Sequence, residues 1–196
     1  MSTLSFLHSQ LFVEPKLPQA DLTGQTIIVT GANRGLGIET VRHLINLNAE
    51  TVVLGVRSLD KGKDAVKQLE QSTGRVGVAK AFELNMSSSQ SVKAFVENMK
   101  GLPRVDAAVL SAGMYTQDFV LQEGFESTLT VNVINTFLLA ILLLPLLRKS
   151  SKGAQSPPRI TIVSSDRHVM TNLPEWKLKD TLAVMSDPQK AKMNDR

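Results

Sequence analysis

Thr26-Ile27-Ile28-Val29-Thr30-Gly31-Ala32-Asn33-Arg34-Gly35-Leu36-Gly37 is a short β-branched run that breaks into a glycine-rich turn. The run reads as a strand, because β-branched side chains fit a pleated, buried surface. Just past it, Ile38, Val41, Leu44 and Ile45 have the three-and-four spacing of an amphipathic helix. The turn between them has the pattern T-G-x-x-x-G-x-G. Glycines are needed there because the chain must turn tightly, and a side chain at Gly35 or Gly37 would keep the backbone away from a pyrophosphate. The helix start then offers unpaired N–H groups and the positive end of its dipole to an anion. A glycine-rich turn by itself carries little weight; set between a strand and a helix, it reads as a phosphate-binding turn.

Strand and helix signals alternate from this point onward, which is the mark of a parallel sheet wrapped by crossover helices. Thr51 to Leu54, Val76 to Leu84, Val105 to Leu110 and Arg159 to Val163 read as further strands, apolar enough to be covered on both faces. Val92, Phe95, Val96 and Met99 have helical spacing and follow Ser87 to Ser89, which can cap a helix. The longest helical candidate covers Gly124 to Arg148, and residues 150 to 158 form the clearest loop. After Val163 the pattern weakens into a polar segment, 166 to 196, that completes no further strand. The expected organisation is an N-terminal extension (1–20), a nucleotide-binding α/β domain with a doubly wound parallel sheet (21–165), and a partial segment (166–196) that leaves the sheet incomplete at its C-terminal side.

Composition bounds the function. The 196 residues include no cysteine, so disulfides, thiolate metal sites and cysteine nucleophiles are excluded. Basic residues number 22 against 18 acidic ones and are scattered, so no nucleic-acid surface is implied. The N-terminus lacks the basic lead and unbroken apolar core of a secretory signal, since His8, Ser9 and Gln10 split its apolar residues. The most apolar stretch, Phe137 to Leu147, contains Pro145 and is shorter than the ~20 residues of a bilayer span. A cytoplasmic protein without stable membrane insertion is expected. Phe6 to Val13 forms a short amphipathic piece able to pack on the domain, cover a substrate pocket or touch a membrane.

With its glycine turn and the lead-in Asp21-Leu22-Thr23-Gly24, the sequence resembles the short-chain dehydrogenase/reductase family over residues 21 to 165. The N-terminal extension and a later Ser164-Ser165-x-x-His168 resemble fungal members related to retinol dehydrogenases, many of which act in secondary metabolism. The resemblance implies a Rossmann-type fold and a nicotinamide cofactor lying against Gly31, Asn33, Arg34, Gly35, Leu36 and Gly37. In dinucleotide folds an acid at the end of the second strand usually holds the ribose 2′-hydroxyl of NAD. Here that region is Gly55-Val56-Arg57-Ser58, with no acid. Arg57 can make forked, charge-assisted hydrogen bonds to a 2′-phosphate, and Arg34 lies where a second cation would help, so NADP(H) is expected. Asn85 stands where the family has an acid contacting adenine, and Leu110-Ser111-Ala112-Gly113 replaces the family's N-N-A-G. The small Ala112-Gly113 pair keeps space for the ribose and nicotinamide, while Ser111 keeps a polar group with less reach.

The family transfers a hydride between nicotinamide and a carbonyl or alcohol carbon, with a tyrosine as general acid or base and a lysine beside it. The resemblance makes Ser165 the residue that orients the substrate oxygen and Asn132, within Thr130-Val131-Asn132-Val133, the support of a proton relay. A backbone-bonded amide at a helix kink is the structural alternative for Asn132. His168 carries no role in the family. The only tyrosine is Tyr115, directly after the fourth strand, and no Tyr-x-x-x-Lys occurs. The expectation is therefore an NADP(H)-dependent short-chain oxidoreductase acting on a small carbonyl or alcohol, possible homo-oligomers included, carried by a chain that stops before the tyrosine motif. A catalytically inactive dinucleotide-binding or partner-binding protein is the alternative.

Overall fold

The computed structural model describes residues 3–14, 16–151, 157–165 and 172–193. Helix α1 (Thr3–Phe12) precedes the sheet, and β1 (Thr26–Thr30) runs into the glycine turn that opens α2 (Gly35–Asn46). Alternation continues through β2 (Thr51–Val56), α3 (Leu59–Thr73), β3 (Ala79–Glu83), α4 (Ser89–Met99) and β4 (Ala107–Leu110). A small hairpin of β5 (Leu121–Gln122) and β6 (Phe125–Glu126) leads into α5 (Ser127–Leu129), a π-helical turn (Thr130–Asn135) and α6 (Thr136–Ser150). β7 (Arg159–Ile162) follows, then a 3-10 turn (Pro174–Lys177) and α7 (Thr181–Met185).

Five strands form one parallel sheet in the order β3-β2-β1-β4-β7, so the chain winds outward from β1 in both directions. Alternate side chains of a strand point to opposite faces. Ile28 therefore joins Val53, Phe95, Met99, Leu139 and Leu143 under α4 and α6, while Ile27 and Val29 join Val41, Ile45, Val52 and Leu69 under α2 and α3. Two apolar cores sandwich one sheet, which is the layer arrangement expected when both faces must be covered. At the N-terminal edge of the sheet, the Asp106 carboxylate accepts the Thr26 N–H at 2.8 Å and a forked contact from Arg104. That ion pair raises the Arg104 pKa, and it anchors β1 against β4.

Several expectations move. The helix predicted over Gly124 to Arg148 begins at Ser127 and reaches Ser150. Glu123 and Gly124 have φ of 51° and 86°, the left-handed pair that a two-residue hairpin turn demands and a helix forbids. β3 starts at Ala79, since Gly77 turns with φ 79°. The helical run Ser127–Ser150 is 24 residues, long and apolar enough by length and composition to cross a membrane, and extends beyond the Phe137 to Leu147 stretch read from sequence. Its inward residues Leu139, Leu143 and Leu147 are spent on the sheet. Its outward residues Phe137, Ile141 and Leu144 form an exposed apolar stripe. α1 does not fold down as a covering helix: Leu11 and Phe12 are 71% and 74% exposed.

Candidate functional site

The C-terminal ends of the strands meet at one edge, because the sheet is parallel and in register: Thr30 lies beside Gly55 on one side and Leu110 on the other, and Leu110 lies beside Ile162. β1 and β4 are the strands between which the winding reverses, and open α/β sheets bind ligands in the crevice at such a point.

The glycine turn is built by close approaches. Gly31 has φ 68°, donates its N–H to the Gly55 carbonyl at 2.9 Å, and would place a Cβ 3.0 Å from Ala112 Cα. A Cβ on Gly37 would stand 2.3 Å from the Gly31 carbonyl oxygen, so the first turn of α2 lies directly on the strand end. Gly35 has open space around it but a φ of 55°. Each glycine thus answers a different need: tight packing on β4, tight packing of helix on turn, and a left-handed torsion. Arg34 precedes α2 in extended conformation and makes no side-chain cap, leaving the first helical N–H groups uncapped toward the edge. Asn33 is half-buried, Arg34 is exposed and Leu36 is 76% exposed. The buried Thr30 hydroxyl accepts the Ala112 N–H at 2.9 Å and ties the two walls of the crevice together.

Around this turn the other predicted residues fall at the same edge. Arg57 follows β2 directly and is exposed, and Ser58 caps α3 by accepting the Lys61 N–H. Asn85 follows β3; its Oδ1 accepts the Ser87 N–H at 3.1 Å and its own N–H donates to Ser91 Oγ at 2.9 Å. That Asx turn engages Oδ1, and the Asn85 side-chain NH2 has no hydrogen-bond partner among the described residues. Ser111 and Ala112 are half-buried after β4, and Gly113 is exposed. A Cβ on Gly113 would stand 3.3 Å from Asn132 Oδ1. Ser164 and Ser165 are exposed past the end of β7. Tyr115 is exposed, and His168 lies outside the described residues.

Asn132 sits in the π-helical turn and exchanges two hydrogen bonds with one residue, accepting the Met114 N–H at 2.9 Å and donating to the Met114 carbonyl at 2.8 Å. Both bonds go to main-chain atoms of the loop after β4. A second amide of the same turn was not singled out from the sequence. Asn135 is fully buried, donates to the Met86 carbonyl at 2.8 Å, and has an Oδ1 without a partner. An unsatisfied buried acceptor costs about 1–3 kcal/mol. The available signal was a second asparagine, three residues after Asn132, just ahead of the apolar stretch Phe137 to Leu147. Glu126 is the other polar group that sequence reasoning passed over. Burial pushes its carboxyl pKa up, but the Thr128 hydroxyl and N–H, the Ser127 hydroxyl and the Leu129 N–H outweigh burial and hold it below the ordinary glutamate value. It caps the long helical run. Among the described residues no group of His, Asp or Glu side chains could hold a metal ion.

A doubly wound parallel sheet with a glycine turn at its winding reversal defines a Rossmann-type fold. The sequence matches the short chain dehydrogenase family over residues 25–172, and the chain belongs to that family. It is 56% identical to the short-chain dehydrogenase anuD of Penicillium roqueforti over the whole chain, which covers 51% of that relative. It is 40% identical to the short chain dehydrogenase FGM9 of Gibberella zeae, covering 58% of it, so the chain spans a little over half the length of these curated relatives. Among solved structures, the RhlG/NADP active-site complex of Pseudomonas aeruginosa superposes with a TM-score of 0.63 at 27% identity, covering 74% of this chain and 54% of that one. A short chain dehydrogenase from Shigella flexneri gives 0.62 at 26% identity, covering 81% and 61%.

Proposed function

We propose that the chain forms the cofactor-binding part of an NADP(H)-dependent short-chain oxidoreductase that reduces a small carbonyl compound or oxidises an alcohol. The observation that carries this reading is the glycine turn, where a Cβ on Gly37 would stand 2.3 Å from the Gly31 carbonyl beneath an uncapped helix start. Such a cradle fits a pyrophosphate, whose charge the N–H groups and helix dipole would hold. Gly31, Asn33, Gly35, Leu36 and Gly37 form the cradle, with Arg34 and Arg57 against a 2′-phosphate. Asn85 meets the adenine through its side-chain NH2, and Ser111, Ala112 and Gly113 line the ribose and nicotinamide side. When bound, the nicotinamide supplies or accepts a hydride. Ser165 orients the substrate oxygen by hydrogen bonding. Asn132 fixes the Met114 backbone beside the site and supports proton movement toward solvent.

The fungal relatives named short-chain dehydrogenases support a role in secondary metabolism, and the NADP complex among the structural neighbours supports the choice of cofactor. The reading keeps the protein in the cytoplasm, with α6 spending its inward face on the sheet, and includes pairing of copies into a homo-oligomer. Arg57→Asp tests the 2′-phosphate contact by nucleotide titration. NADPH affinity should fall about tenfold or more, as expected for a lost charge-assisted contact, while NADH affinity changes little. Equal losses for both nucleotides would remove Arg57 from the phosphate site.

A further inference from the structure

We propose that Asn135 is a positioning residue for the adenine end of the cofactor, acting through the Met86 carbonyl on its neighbour Asn85. The inference rests on the dinucleotide reading above and extends it to a residue far from the glycine turn.

The π-helical turn Thr130–Asn135 carries two asparagines, three residues apart. In an α-helix such a pair would share a face. The wider π turn spreads them, and each reaches a different strand end: Asn132 binds Met114 after β4, and Asn135 binds Met86 after β3. π-helical insertions are commonly retained at functional sites. The turn is itself held firmly. The Thr136 hydroxyl donates to the Val131 carbonyl at 2.8 Å, and the buried Thr130 hydroxyl bonds back to the Gln122 carbonyl at 3.0 Å.

The orientation of the Asn135 amide follows from its partner. Turning it over would set Oδ1 against the Met86 carbonyl oxygen, two acceptors face to face, so the unpartnered atom has to be Oδ1. An apolar side chain of similar volume would leave no buried orphan acceptor at this position. The amide is therefore tolerated for its single donated bond. That bond holds the main chain one residue beyond Asn85, whose Asx turn with Ser87 aims the side-chain NH2. One rigid turn thereby sets both the loop that would meet adenine and the loop beside the reaction centre.

The test compares ligands that report on separate halves of the dinucleotide. Asn135→Leu removes the donor at similar volume. Binding of 2′,5′-ADP and of NADPH should weaken by the same factor, about tenfold, while reduced nicotinamide mononucleotide binds as to the wild type. A lowered melting temperature with unchanged 2′,5′-ADP affinity would make Asn135 a scaffold residue only and overturn the proposal. Should Asn135→Leu fail to fold, Asn135→Ser is measured by the same three titrations, with hydrogen exchange of the Asn85 to Ser88 amides beside them; unchanged exchange and unchanged affinities would overturn it equally. In a double variant with Asn85→Ala, the two losses should not add, and full additivity would count against the route through Asn85. If the wild type binds neither 2′,5′-ADP nor NADPH, the dinucleotide reading itself fails and takes this inference with it, an outcome distinct from the others.

Discussion

β1 and β7 belong to one sheet but are built differently. Every residue of β1 is buried, with β2 on one side, β4 on the other and helices over both faces. Among the described residues β7 pairs only with β4, and three of its four residues are exposed. The glycine turn grows from the first strand and the serine pair from the second. The glycine turn is therefore fixed by packing that the described residues supply in full. Ser165, by contrast, lies three residues past the end of β7, which is the edge strand of the sheet among the described residues. Edge strands with open ladder groups are ready partners for other chains.

The difference is measurable between two residues in register across one strand pair, Leu110 of β4 and Ile162 of β7. Leu110 is 2% exposed and Ile162 is 38% exposed. Leu110→Ala should destabilise by about 2–5 kcal/mol, because a cavity opens among fixed neighbours. Ile162→Ala should cost about 1 kcal/mol or less, since a partly solvated side chain has less transfer free energy to lose. Urea unfolding of the two variants compares them, and similar losses would mean that β7 is covered in solution.

A smaller effect is expected inside the glycine turn. Gly37→Ala puts a methyl group against the Gly31 carbonyl, a backbone atom that cannot yield without opening the turn. Overpacking of this kind costs about 1–3 kcal/mol, and nucleotide binding should fall with it. Gly35→Ala meets no atom within 4 Å and pays only for its left-handed φ of 55°, about 1 kcal/mol. Calorimetry of both variants checks the order; the reverse order would mean that torsion and not close approach shapes the turn.

The closed flank was the more legible one. The strand, turn and helix of residues 26 to 46 could be read because three signals agree there: a β-branched run, glycines at fixed offsets and helical spacing. α4 was legible from Val92, Phe95, Val96 and Met99, all of which are buried, and from the serines before it, of which Ser88 provides the cap. Helix α3 went unread although Ser58 caps its start and Gly74 ends it with φ 70°, because its buried residues are Gly62, Ala65 and Leu69, two of them too small to stand out as an apolar run among charged neighbours. The hairpin before α5 was hidden for another reason. Its strands are two residues each, too short to show alternation, and its turn is signalled only by Gly124. In the site, Arg57 and Asn85, singled out by residue type, lie after the C-terminal ends of β2 and β3. The bonds of Asn132 and Asn135 depend on the π turn, which no local pattern in the sequence announces.

The open flank has its own anchor, and it is polar. The run from Ser127 to Ser150 begins at Glu126, a fully buried carboxylate whose N–H donates to Ser186 Oγ at 3.0 Å and so ties the start of the helix to the residue after α7. Burial raises its pKa, and the hydrogen bonds from Thr128, Ser127 and Leu129 lower it further than burial raises it, so the folded value lies below the 4.5 of a free glutamate. A folded pKa below the unfolded one means that the unfolded state binds the proton more tightly; the stabilisation is fully present above about pH 4.5 and is lost as pH falls through the folded value. Glu126→Gln keeps the shape but turns one acceptor into a donor facing Thr128 or Ser127, and at neutral pH it should cost about 1 kcal/mol, as loss of a helix cap does. The cost should shrink below pH 4.5, where the wild-type carboxyl itself takes up a proton. Asp21, Glu39 and Asp187 shift in the same direction on the surface, so both proteins will lose stability in acid, and only the difference between their urea midpoints from pH 3 to 7 reports on Glu126. A difference that stays constant across that range would show that the ionised carboxylate does not hold the helix start, and that the open flank is anchored by packing as the closed one is.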